Sequence, residues 1–252
     1  MSGVLETAQG RRLAHDLTPG AGPEAQLPGV VFLGGFRSDK EGSKALHLEG
    51  WARARGRAFL RFDYSGHGAS SGAFEEGCIG DWAEDAAAAL GLTEGPQVLV
   101  GSSMGGWIAL LLALRMPERV AGLVGIAAAP DFTRRFWEGL TEAQRAVLME
   151  AGRLEVPSDY SPEPYVFTRR LVEDGARQAV LEAPLRLGVP VRLLQGTADT
   201  DVPVAAQLRL FQHLESPDSR LVLVRGGDHR FSDPACLQLL TETLETLPVQ
   251  AD

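Results

Sequence analysis

Cysteine is scarce in this chain of 252 residues: there are two, Cys78 and Cys236. One pair cannot make a disulfide framework, and the spacing fits no metal site. No metal is therefore expected, and a reducing compartment is the simplest reading. Positive charge is also short. Against 33 Asp and Glu stand 24 Lys and Arg, a formal net charge of −9. That argues against nucleic acid or an anionic membrane surface as a partner. No apolar run approaches membrane-spanning length. The start, Met1-Ser2-Gly3-Val4-Leu5-Glu6, lacks the charged-then-apolar form of a secretion signal, and Arg11-Arg12 is followed by no apolar region. A cytoplasmic protein is expected. There is no internal repeat and no low-complexity tract, and 44% hydrophobic with 23% charged residues is an ordinary globular composition. One α/β domain over 1–252 is predicted.

What the chain does contain is a run of short apolar segments alternating with helical patterns. Residues 4–17 read as edge strands turning at Gln9-Gly10. Val30-Val31-Phe32-Leu33, Ala58 to Asp63, 97–101 and 120–127 are apolar without strict alternation, as strands buried on both faces are. Between them, about 43–55, 79–92 and 104–115 carry apolar residues at helical spacing. Strand-helix alternation of this kind means a parallel sheet with right-handed crossovers. The alternation lapses from Pro130 to about Pro184, where 141–152, a turn-rich 157–164 and 165–181 read as short helical pieces without a buried strand. An insertion over about 131–184 is expected to cap the site. Phe132, Phe136, Trp137, Tyr165, Phe167 and Leu171 are apolar enough to line an acyl pocket, and Phe136, Trp137, Phe167 and Leu171 are taken as the substrate-binding set. Arg134, Arg135, Arg169 and Arg170 read as a solvated face rather than a carboxylate site.

Chemistry concentrates at strand ends. Val98-Leu99-Val100-Gly101-Ser102-Ser103-Met104-Gly105 places Gly-x-Ser-x-Gly, centred on Ser103, between a strand and a helix. Such a turn forces the serine into a strained backbone conformation and lifts Oγ clear of the sheet. Glycines two before and two after are needed because a Cβ there would collide with its neighbours. Ser102 fails this test, its flanks being Val100 and Met104. Gly34-Gly35-Phe36 follows an earlier central strand, so the backbone N–H groups of Phe36 and Met104 are the predicted pair of oxyanion donors. Downstream, Val191 to Gln195 leads into Gly196-Thr197-Ala198-Asp199, and Arg220 to Val224 into Gly226-Gly227-Asp228-His229. Asp199 is the predicted acid and His229 the predicted base, with Asp201 expected to be oriented elsewhere and Asp131 a further alternative for the acid. His67, in a glycine-spaced turn before the serine, is read as a rim residue without a chemical role. A serine activated by a histidine, itself held by an aspartate, attacks acyl carbons and passes through an acyl-enzyme. That chemistry needs no cofactor.

The order Ser103, Asp199, His229, each at a strand end, resembles the α/β-hydrolase superfamily: a mostly parallel central sheet with helices on both faces and a small helical cap. A closer likeness lies in Gly42-Ser43-Lys44-Ala45-Leu46, Arg61-Phe62-Asp63-Tyr64-Ser65-Gly66, Val100 through Trp107, Val156 through Ser161 and Asp228-His229-Arg230. These segments resemble the mitochondrial palmitoyl-protein thioesterase subgroup, whose members also hydrolyse acyl glucuronides. The resemblance implies the triad Ser103, Asp199 and His229, and a small-molecule or S-acylated protein substrate carrying an ester or thioester. It also raises the mitochondrial matrix as the location, for a processed eukaryotic form.

Overall fold

The computed structural model of the chain describes residues 1–157 and 164–248. Its sheet is built outward from the predicted apolar strands. An N-terminal hairpin pairs β1 (Ser2–Glu6) antiparallel with β2 (Arg12–Thr18), and β2 pairs antiparallel with β4 (Phe59–Phe62). The remaining strands run parallel: β3 (Val30–Leu33), β5 (Gln97–Ser102), β6 (Val120–Ile126), β10 (Val191–Gly196) and β12 (Ser219–Val224). The order across the sheet is β1-β2-β4-β3-β5-β6-β10-β12. From β3 the chain steps outward to β4 and then returns across β3 to β5. That reversal opens a crevice at the carboxyl ends of β3 and β5, where parallel sheets bind ligands.

Both faces of the sheet are covered because its strands alternate apolar side chains in two directions. Val30 and Phe32 of β3 join Leu48 of α1 (Ser43–Arg55) and Leu240 of α8 (Pro234–Glu245) in one layer. Val31 and Leu33 join Trp82 of α2 (Ile79–Leu90) and Trp107 of α3 (Met104–Arg115) in the other. Each fully buried side chain of this size contributes roughly 1.5–3 kcal/mol. Helix α3 has ten buried residues of twelve, which holds its first turn rigidly at the crevice.

Between β6 and β10 the chain leaves the sheet. It forms α4 (Phe132–Gly139), α5 (Glu142–Ala151), β7 (Arg153–Val156), β8 (Tyr165–Thr168) and α6 (Arg169–Arg177). A short β9 (Leu185–Arg186) then pairs with β11 (Leu214–Glu215), which follows α7 (Val204–His213). The insertion departs from the sequence reading at 165–168, which is a strand and not the start of a helix. Tyr165-Val166-Phe167-Thr168 are aromatic and β-branched, and they pair antiparallel with β7, Phe167 opposite Leu154. The helix begins only after Thr168, whose hydroxyl accepts the Leu171 N–H at 3.1 Å as an N-cap. The turn-rich segment over 158–163, with most of the likeness at Val156 through Ser161, lies outside the described residues.

One carboxylate ties the two ends of the insertion. Asp131, in a left-handed conformation just before α4, accepts the N–H groups of Val180 at 2.9 Å and Leu181 at 3.0 Å. Asp131 is thereby a structural link and is not available as the alternative acid. Among the described residues no helix is long and apolar enough to cross a membrane.

Candidate active site

Ser103 stands between β5 and α3 with φ of 53°, the strained backbone that the Gly-x-Ser-x-Gly pattern calls for. A Cβ on Gly101 would run into the Gly105 carbonyl, and one on Gly105 into the Leu33 carbonyl. The glycines therefore let strand, helix and the neighbouring β3 end approach more closely than any side chain permits. The strained turn is held by backbone bonds on both sides: Ser103 N–H to the Ile126 carbonyl at 2.9 Å, and Ala129 N–H to the Ser103 carbonyl at 3.0 Å.

The loops after β10 and β12 bring Asp199 to His229. They touch backbone to backbone at Gly196 and Gly227, where the Ala198 N–H reaches the Gly227 carbonyl at 2.9 Å. His229 Nδ1 then lies 2.9 Å from Asp199 Oδ2. The Asp199 side chain is wholly buried. Burial would raise its pKa, but the His229 contact and the Val202 N–H together hold it below the usual carboxylate value. Its other oxygen accepts the N–H groups of Asp201 at 2.9 Å and Val202 at 2.8 Å. A carboxylate so fixed orients one imidazole nitrogen and leaves Nε2 toward the crevice.

Asp201 corrects the sequence reading. Its carboxylate is not oriented elsewhere: Oδ2 lies 3.9 Å from His229 Nε2, and the residue lines the same cavity. The Asp-x-Asp spacing puts one carboxylate at the Nδ1 edge of the ring and the next near Nε2. Asp199, Asp201 and His229 bring ligand atoms within 4.8 Å of one another. With Asp199 already engaged on Nδ1, this grouping is satisfied internally.

The predicted oxyanion donors come from two elements next to the serine. Gly35 packs directly on Ser103, a Cβ there falling 3.5 Å from the serine Cβ. Phe36 follows it, and Met104 is the first residue of α3, where an N–H has no partner within the helix. Among the described residues no hydrogen bond uses the Phe36 or Met104 N–H.

Ser103, Met104, Phe36 and His229 all line one cavity of about 650 Å³. Phe136 and Phe167 line it too, stacked on each other at 3.8 Å between ring centroids, with Phe167 in turn stacked on Phe36 at 5.4 Å. Two members of the predicted substrate-binding set do not line it. Trp137 lies beneath the Arg145 guanidinium at 5.3 Å, and Leu171 is buried in the core layer with Trp107. Both sit on helix faces turned from the crevice, which apolar character alone does not reveal. Phe132, which the sequence also raised, does line it and stands edge-on to Phe36.

His67 is not at a rim. It is 3% exposed, enclosed by Tyr64, Phe74 and Trp82, with Nδ1 3.1 Å from the Ser65 carbonyl. Burial drives its pKa down to about 4, so it is a neutral packing residue.

Sequence reasoning missed Gln195 and the cations of the cavity. Gln195, fully buried, donates from Nε2 to Asp199 Oδ2 at 3.0 Å and to the Val202 carbonyl at 2.9 Å. The signal was a lone polar residue at the end of an apolar strand. Of the four arginines read as a solvated face, Arg134, Arg169 and Arg170 pair with Glu138, Glu173 and Asp81. Arg135 differs: it lines the cavity and donates to the Asp201 carbonyl at 2.7 Å.

A strained serine at a strand-to-helix turn, sharing a cavity with a carboxylate-held histidine from a late loop, is the pattern of a hydrolase site. The profile of the alpha/beta hydrolase family matches residues 30–236, and the chain belongs to that family. It is 38% identical over 223 residues to the mitochondrial palmitoyl-protein thioesterase ABHD10 of Rattus norvegicus, covering 87% of this chain and 75% of that protein. Among solved structures it matches a putative hydrolase from Agrobacterium vitis S4 with a TM-score of 0.92 at 42% identity, over 97% of each chain. It matches mouse alpha/beta hydrolase domain-containing protein 10 with a TM-score of 0.88 at 34% identity, again over 97% of each.

Proposed function

We propose that the chain is a serine hydrolase of thioester or carboxylic ester bonds, working through Ser103, His229 and Asp199, with residues 131–184 as its cap. The observation that carries this is the hydrogen bond between His229 Nδ1 and the buried Asp199 on the wall of the cavity that Ser103 also lines. His229 takes the Oγ proton as Ser103 attacks the acyl carbon, and the imidazolium is stabilised by Asp199. The oxyanion is met by the Phe36 and Met104 N–H groups, each worth on the order of a hundredfold or more in rate. His229 returns the proton to the leaving thiol or alcohol. It then activates water to release the acid from Ser103.

The acyl chain rests on Phe36, Phe132, Phe136 and Phe167, an aromatic wall without competing hydrogen-bond groups. Protein S-acyl groups and acyl glucuronides are the candidate substrates. The former is the substrate in the rat relative's name, which also assigns that protein to mitochondria. For this chain the matrix is the compartment if it is a processed eukaryotic form, and the cytoplasm otherwise. The test is hydrolysis of matched thioesters and oxygen esters over a chain-length series, with Ser103→Ala as control. Ser103-dependent turnover with long-chain thioesters preferred is expected. Preference for short oxygen esters would make the chain a general carboxylesterase. Turnover that survives Ser103→Ala would overturn the reading.

A further inference from the structure

From the β10 side, His229 is fixed through both ring and backbone. Asp199 holds Nδ1, the Gly226 N–H donates to Thr197 Oγ1 at 2.9 Å, and the Gly227 carbonyl accepts the Ala198 N–H at 2.9 Å. After His229 the chain meets a different element, α1. The peptide unit joining Arg230 to Phe231 is gripped at both ends there. Its carbonyl accepts from Lys44 Nζ, and its N–H donates to Asp228 Oδ1 at 2.9 Å. Lys44 comes from the first turn of α1, 186 residues before its acceptor, whereas Asp228 immediately precedes His229. A cation on the carbonyl and a carboxylate on the N–H make both bonds charge-assisted. The two charges also favour each other, since Asp228 stabilises the protonated form of Lys44.

The grip matters because the turn is strained. Phe231 has φ of 49°, in the left-handed region that a bulky side chain rarely adopts. Its ring is wholly buried in the layer that holds Leu48 of α1 and Leu240 of α8. Such a backbone persists where its surroundings over-determine it. The buried ring anchors one side of Phe231, and Lys44 with Asp228 fixes the peptide on the other, one residue from His229. Lys44 takes no part in the steps assigned to Ser103, His229 and Asp199, yet it stands on the wall of their cavity. Burial, with Arg230 adding to it, pulls its pKa down to about 8 against Asp228 and Cys236. A desolvated ammonium is costly unless bonded, and the Arg230 carbonyl and Asp228 meet that need.

We infer that Lys44 is a positioning residue: by holding the Arg230 carbonyl while Asp228 holds the Phe231 N–H, it sets the backbone of the His229 loop and so where Nε2 stands in the cavity. It acts on the base and not on the substrate. This rests on the reading of His229 as the base of a Ser103-dependent hydrolase.

The experiment separates kcat from KM for ester hydrolysis by the wild type, Lys44→Met and Lys44→Arg over a chain-length series, with Ser103→Ala as blank. Met is close to Lys in shape but loses donor and charge. Its kcat should fall about tenfold to a hundredfold, the scale of a misplacement of about 1 Å at a catalytic group. The loss should be the same for every chain length, with KM nearly unchanged. Arg keeps donor and cation, so kcat in Lys44→Arg should stay within about threefold of the wild type. A second readout holds even if the Met variant fails to fold. Proton loss from Lys44 leaves Asp228 without its counter-charge, so wild-type kcat should decline as pH rises through about 8. Lys44→Arg should move that decline to higher pH, because a guanidinium keeps its proton. The charged and titratable groups acting on Lys44 are Asp228 and Arg230 of the His229 loop and Cys236 of α8, whose thiol burial pushes up to about 12. A folded Lys44→Met with wild-type kcat, a rise in KM with kcat kept, or alkaline limbs that coincide in wild type and Lys44→Arg would each overturn this inference and leave the hydrolase reading in place. Wild-type protein without Ser103-dependent turnover would overturn both.

Discussion

The floor of the site and the insertion over it are held together by different means. On the floor, Ser103, Asp199 and His229 sit on loops locked by backbone hydrogen bonds and glycine contacts, over a sheet buried on both faces. In the insertion, the β7–β8 hairpin is half-exposed, and ion pairs such as Arg153 with Glu75 and Glu155 lie on the surface, where each is worth little. Asp131 joins its entry and exit through its two oxygens. Groups that must meet to within tenths of an ångström are built into the rigid part. The aromatic side chains Phe132, Phe136 and Phe167 are carried by the insertion.

The contrast is broken most severely on the floor. Asp199→Asn should lower kcat by about 10⁴-fold, because the imidazole loses its orienting acceptor. Folding should be preserved, since Asn keeps an oxygen for the Val202 N–H; steady-state kinetics with circular dichroism check both. Asp131→Ala acts on the insertion instead. Leaving two buried N–H groups unpaired should cost about 1–3 kcal/mol of stability for each. KM should rise roughly tenfold with kcat changed far less, as expected when uniform binding is lost. A kcat loss as large as that of Asp199→Asn would erase the distinction between floor and insertion.

A second pair sharpens the division within the insertion. Phe167→Ala should flatten the chain-length preference, lowering kcat/KM for long chains by about tenfold, on the scale of one lost methylene contact. Leu171→Ala should leave that preference intact and cost about 2–5 kcal/mol in a denaturant melt, because Leu171 is core. The smallest effect concerns His67. Its folded pKa of about 4 lies below the ordinary histidine value of 6.5, so the unfolded chain takes up the proton first on acidification. Stability present above about pH 6.5 is lost as pH falls toward 4, and His67→Phe should remove that component of acid sensitivity, read as the pH dependence of Tm.

The same contrast decides what could be read from the sequence. The floor was legible because its requirements are local. Only glycine fits at Gly101 and Gly105, and the loops carrying Asp199 and His229 directly follow apolar strands. The insertion was less so. Whether Tyr165–Thr168 is strand or helix depends on its pairing with β7, nine to fifteen residues away along the chain. That Phe136 lines the cavity while Trp137 meets Arg145 depends on how α4 is rotated, and two adjacent aromatics give no signal for that. Asp201 was misread for a related reason: the turn after Asp199 folds back, so a residue two positions on returns to the same histidine. Gln195 meets Asp199 through a turn that only the assembled loop supplies.

The most direct test of the central claim is active-site labelling with a fluorophosphonate probe followed by peptide mass spectrometry. The account predicts one adduct, on Ser103, abolished in Ser103→Ala and slowed by orders of magnitude in Asp199→Asn. An adduct on Ser102, or folded protein that takes up no label, would contradict it.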